Sequence, residues 1–165
     1  MRFARTLILT FVAMASTPGV AGGTSMKSPA KPLAAISGDA KFSAVDPAND
    51  VTVLQFWASW CVGCAEVMAE MSGILQTRKD IGFVSISLDE TKELAVKYFA
   101  NKSDIVKATM PRAFLDPSGT LFSEANSVDS LPYLIFVKKD GTVLRRVAGH
   151  PKKSDMDFLL GKGGK

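Results

Sequence analysis

The sequence predicts an α/β domain, a sheet covered by helices and closed by an antiparallel hairpin and a last helix, and three observations predict it. Val51-Thr-Val-Leu-Gln-Phe-Trp57 is a short apolar, β-branched and aromatic run, the character of a central strand buried on both faces. From Cys61 to about Arg78, apolar residues at Val62, Ala65, Met68, Ala69, Met71 and Leu75 recur at helical spacing, with Glu66, Glu70 and Lys79 on the polar side. Tyr133–Val137 and Thr142–Ala148 are two apolar runs flanking Lys139-Asp140-Gly141, a hairpin signal. Strand and helix alternate first, and the antiparallel pair comes last.

The other elements follow in chain order. Arg2 and Arg5 precede the apolar run Leu7–Ala15 and the small residues Gly19 and Ala21, which is the order of a secretory signal peptide over residues 1–21. The run is well short of the ~20 apolar residues a spanning helix needs, so no stable membrane span is expected. Residues 22–35 are rich in Gly, Ser and Pro without apolar period and read as a flexible tether, leaving 36–165 as the folded domain. Ile81–Leu88 reads as a second strand, Glu90–Asn101 as a helix, Pro111–Leu115 as a short extended piece before the turn Asp116-Pro-Ser-Gly119, and Lys153–Leu160 as the closing helix.

Charge narrows the partners. Without residues 1–21 the chain keeps 18 basic against 16 acidic residues, a net charge of +2, because Arg2 and Arg5 leave and no acid does. The basic residues are dispersed and not interleaved with aromatics, so neither nucleic acid nor an anionic membrane surface is implied. Both cysteines fall in one Cys-x-x-Cys behind an export signal, which directs attention to redox chemistry in an oxidising compartment, with the periplasm as the expected location.

A thiol attacks as its thiolate, and Cys61 at the start of a helix would face unsatisfied amides and the positive end of the helix dipole. Cys64, one turn further on, is placed to attack a mixed disulfide at Cys61 and release the substrate thiol. A structural disulfide across so short a loop removes little chain entropy, and a zinc site would need two further ligands where His150 is the sole histidine. No metal and no cofactor are therefore expected, and His150 reads as a solvated surface residue. Gly63 lies in the turn whose amide faces the Cys61 sulfur, so Gly63→Pro is expected to remove a donor to the thiolate and strengthen the protein as a reductant.

Phe56-Trp-Ala-Ser-Trp-Cys-Val-Gly-Cys64 after a buried strand, Leu131-Pro132 before the hairpin, and Leu115-Asp-Pro-Ser-Gly119 between the two halves resemble the thioredoxin superfamily, in its exported TlpA-like and cytochrome-c-maturation branch. The resemblance covers roughly residues 36–160. It implies a thioredoxin-like fold with a central mixed sheet flanked by helices, a reactive Cys61, a resolving Cys64, and a cis peptide before Pro132 with Leu131 presenting its backbone to a bound peptide. Trp60 is a candidate for the substrate-facing rim, and Val62 and Gly63 for tuning the motif. The implied partners are exported disulfide-bearing proteins, apocytochrome c among them, and an upstream thiol protein that donates electrons.

The chain departs from the branch at four places. Gln55 stands where thioredoxins carry a buried acid, and it cannot take a proton from the resolving thiol. Val67 stands where the exported reductases carry an acid, with Glu66 about 100° away around the helix. Ala69 replaces the helix-kinking proline and Gly63 the proline of the motif, which predicts a straighter helix and a looser loop. Two other functions fit less of the sequence. A disulfide oxidase or isomerase would be expected to carry a histidine between the cysteines. A copper-binding assembly factor of the Sco type needs a wider cysteine gap and a histidine near Val128-Asp-Ser-Leu-Pro132.

Overall fold

The computed structural model describes residues 25–26, 31–125 and 130–162, so the segment read as a leader and half of that read as a tether lie outside the described residues. Its elements are β1 (Ala34–Ala35), β2 (Val51–Trp57), α1 (Cys64–Thr77), β3 (Ile81–Ser87), α2 (Lys92–Ala100), α3 (Asp104–Lys107), β4 (Ala113–Leu115), α4 (Thr120–Ala125), β5 (Tyr133–Lys138), β6 (Val143–Ala148) and α5 (Lys153–Leu159). They form a mixed sheet in the order β1-β4-β3-β2-β5-β6. β2 runs parallel to β3 and β3 to β4, while β5 is antiparallel to both β2 and β6.

The alternation of side chains along β2 divides the interior in two. Val53 and Trp57 face one way, into a core with Val67, Met68 and Met71 of α1, Tyr98 and Phe99 of α2, and Leu159 of α5. Leu54 and Phe56 face the other way, into a core with Val84, Ile86, Phe114, Leu121 and Ile135. Such two-sided burial is what the mostly apolar run requires. Trp57 anchors the first core, its ring centroid 4.6 Å from that of Tyr98 and 5.3 Å from that of Phe99.

Four boundaries differ from the sequence reading. The helix after the motif begins at Cys64, not Cys61, because Gly63 takes φ +88° as its N-cap and ends the preceding turn in a left-handed conformation that glycine adopts without penalty. β1 lies inside the segment read as tether: Ala34 and Ala35 pair antiparallel with Leu115 and Phe114, and Leu33 and Ala35 pack on the second core. The extended piece from Pro111 starts as a 3-10 turn over Met110–Arg112 before β4. Finally, the turn after Leu115 runs on into α4, whose Leu121 and Phe122 amides donate to the buried Asp116 carboxylate.

Candidate active site at the ends of the parallel strands

The loops leaving β2 and β3 and the residues entering β5 meet at one end of the sheet. After Trp57 the chain turns at once: the Cys61 N–H donates to the Ala58 carbonyl at 3.0 Å, closing a turn with Ser59 at its second position. Cys61 then joins Cys64 in a disulfide, the Cα atoms 5.7 Å apart. Gly63 carries no side chain to cap α1, so the free amides of the helix's first turn point toward the turn that holds Cys61. The helix dipole thus acts on Cys61 across the Val62-Gly63 turn, Cys61 itself lying outside the helix.

The two sulfurs are unequally placed. Cys64 is fully buried, whereas Cys61 keeps 9% of its surface open, between Trp60 at 71% and Val62 at 93% exposure. Under Cys64 lies Gln55, fully buried, whose Nε2 donates to the Cys64 carbonyl at 3.0 Å. At the position of the missing acid the side chain therefore holds the helix's first carbonyl. Its Oε1, like the Oγ of Ser85 beside it in register, has no hydrogen-bond partner among the described residues.

β5 begins at Tyr133 opposite Phe56, which brings Leu131 and Pro132 to the same end of the sheet. The Leu131–Pro132 peptide is cis, Pro132 is buried, and its carbonyl accepts the Gly149 N–H at 2.8 Å. Leu131 is half-buried and borders both cores.

Three features were missed or misjudged in the sequence. His150 is exposed as expected, yet it faces α1, with Nδ1 3.9 Å from Glu66 Oε2 and Nε2 3.4 Å from Glu70 Oε1. Glu66 reaches the motif's shoulder: its Oε2 lies 3.9 Å from where a Cβ on residue 63 would stand. Asp89 went unremarked between a strand and a helix, as the first of two adjacent acids, Asp89 and Glu90, after a buried strand. It is buried, and its Oδ1 accepts the Ser59 N–H at 2.9 Å. The φ of +88° also corrects the expectation for Gly63→Pro, since proline fixes φ near −65° and the whole inter-cysteine turn would have to rearrange.

A family model described as thioredoxin-like matches residues 49–143, which span the motif, strands β2 to β5 and the cis proline. The chain belongs to the thioredoxin-like family. Among curated proteins it is 32% identical over 110 residues to the thiol-disulfide oxidoreductase ResA of Bacillus cereus, a match covering 66% of this chain and 61% of that protein. The chain thus matches less than two thirds of the length of these relatives. Among solved structures, a protein described as a thiol:disulfide interchange protein DsbE of Chlorobium tepidum is 26% identical with a TM-score of 0.63, covering 84% of this chain and 93% of that one. The exposed lipoprotein thioredoxin Etrx1 of Streptococcus pneumoniae shares the fold with a TM-score of 0.64 at 20% identity, covering 80% and 98%.

Proposed function

We propose that this protein is an exported thiol–disulfide oxidoreductase that reduces disulfides in exported proteins, apocytochrome c among the candidates. The observation that carries the reading is the unequal placement of a bonded cysteine pair, with Cys61 alone open to a partner and Cys64 sealed behind it. In the reduced protein the Cys61 thiolate attacks one sulfur of a substrate disulfide, forming a mixed disulfide and expelling the other sulfur as a thiolate. Cys64, deprotonated, attacks Cys61 Sγ, the second substrate thiolate leaves, and two electrons have passed from the Cys61–Cys64 dithiol to the substrate. A thiol protein upstream restores the dithiol by the same exchange in reverse.

The exposed Trp60 and Val62, with Leu131 and Pro132 across the sheet end, supply the rim on which an extended substrate segment would lie. Val62 and Gly63 tune the turn between the sulfurs. A leader over residues 1–21 would deliver the domain to the periplasm, and among the described residues no helix is long and apolar enough to cross a membrane. The test is the equilibrium reduction potential of the pair together with capture of clients. A potential at or below about −200 mV and mixed disulfides trapped by Cys64→Ser but not by Cys61→Ser are expected. A potential near −120 mV, the range of strong oxidants, would turn the reading to disulfide formation.

A further inference from the structure

Asp89 is a buried carboxylate that the exchange steps above do not use. It stands just beyond the C-terminal end of β3 and is 3% exposed. Its Oδ1 accepts the Ser59 N–H at 2.9 Å and its Oδ2 the Ser87 hydroxyl at 2.8 Å, while its own N–H donates back to Ser87 Oγ at 3.1 Å. Alongside, the Leu88 N–H donates to the Trp57 carbonyl at 2.8 Å. The chain leaving β3 is thus tied at two successive points to the chain leaving β2. That second chain is the turn closed by the Cys61 N–H on the Ala58 carbonyl, with Ser59 at its second position. Behind it, burial and then the Asp89 charge hold the Tyr98 phenol up to about 12, and the Tyr98 ring packs on Trp57. A buried carboxylate is costly unless its oxygens are bonded, and here the bond that reaches farthest along the chain goes to the cysteine turn.

We propose that Asp89 is a positioning residue for disulfide exchange, its carboxylate fixing the Ala58–Cys61 turn through the Ser59 N–H and so holding Cys61 in register with Cys64. The inference rests on the reading of the two cysteines as an exchanging pair. A turn held in the bonded geometry keeps the two sulfurs at high effective concentration, which favours the disulfide and makes the dithiol the stronger reductant. Releasing the turn does the reverse.

Equilibration with glutathione measures this: two reduced glutathiones give up two electrons and two protons, the Cys61–Cys64 bond becomes a dithiol, and one oxidised glutathione forms. Asp89→Ala should shift that equilibrium toward the dithiol by about 3- to 10-fold, part of what one charge-assisted hydrogen bond commands. Asp89→Asn keeps an acceptor for the Ser59 N–H and offers a donor to Ser87 Oγ, so it should stay within about 2-fold of the wild type. Ser59→Pro removes the donor and suits the second position of the turn. It should move the equilibrium in the same direction as Asp89→Ala, and the double variant should go no further than either alone. Thermal unfolding monitors the fold of each, and Asp89→Asn and Ser59→Pro carry the test if Asp89→Ala does not fold. Asp89→Asn shifting as far as Asp89→Ala, Ser59→Pro leaving the equilibrium unmoved, or single shifts that multiply in the double variant would each overturn the proposal. A wild-type protein inert to glutathione would overturn the reading of the cysteine pair instead.

Discussion

Alanine at Gly63 and at Gly73 should change stability in opposite directions, although the two glycines belong to the same helix. Gly63 is the N-cap of α1 at φ +88° and ψ −13°, and Gly73 is an exposed residue of its interior. A new Cβ has room at both, its nearest neighbour at position 63 being Glu66 Oε2 at 3.9 Å and nothing lying within 4 Å at position 73. Contacts with neighbours therefore drop out of the comparison and the local backbone decides it. A left-handed conformation costs an L-residue about 1–2 kcal/mol, of which about 0.4–1 kcal/mol is offset by the smaller entropy of the unfolded chain. Gly63→Ala should lose roughly 0.5–1.5 kcal/mol. Gly73→Ala should gain about 0.5–1 kcal/mol, since alanine is the better helix former. Urea unfolding of the oxidised protein reads both as midpoint shifts at constant slope, and a thermal melt as about 2–5 °C per kcal/mol. A Gly63→Ala protein more stable than the wild type would refute the reasoning, because it would mean that residue 63 does not hold a positive φ in solution.

Other outcomes follow from the same site. Alkylation of the reduced protein should modify Cys61 before Cys64, as only Cys61 reaches the surface; faster reaction at Cys64 would reverse the two roles. Gln55→Glu should place a carboxyl against the Cys64 carbonyl, where its protonated form can donate and its ionised form cannot, so its pKa rises in the folded state. Stability relative to the wild type should then fall by at least about 2 kcal/mol from pH 4 to pH 7, and a pH-independent difference would count against it. Burial raises both tyrosines, Tyr98 to about 12 with help from the Asp89 charge, and Tyr133 against the opposing pull of Arg146. The folded chain keeps phenolic protons that the unfolded chain sheds near pH 10, so stability should decline from about pH 10 to 12, and native phenolate absorbance should appear later than in denaturant.

What was legible in the sequence is what local pattern encodes. β2 announced itself because a strand buried on both faces leaves a mostly apolar, β-branched and aromatic run, and α1 because its buried residues repeat with the helical turn. The cysteine pair was legible for a chemical reason, being the only two sulfurs able to bond. The start of α1 was misplaced because helical periodicity does not see φ, and Gly63 was read as a missing proline when it is a left-handed cap. β1 was invisible because Ala-Ala has no strand character of its own and is extended only by pairing with Leu115 and Phe114. Asp89 was missed for a similar reason, its partner Ser59 lying 30 residues away on a neighbouring strand's exit.

The hairpin of β5 and β6 has a consequence for how the molecule would sit relative to anything attached ahead of it. Ser25 bridges to Thr142 and the Met26 N–H donates to the Gly141 carbonyl at 2.9 Å, so the first described residues lie on the hairpin's tip. β5 spans Tyr133 to Lys138, with Pro132 at one end and that tip at the other, which separates them by roughly 20 Å at the usual rise of a strand. Ser25 and Met26 therefore stand at the pole opposite the disulfide. A partner fused directly at Ser25 would leave Cys61 facing away from its own attachment point and toward whatever approaches from the other side.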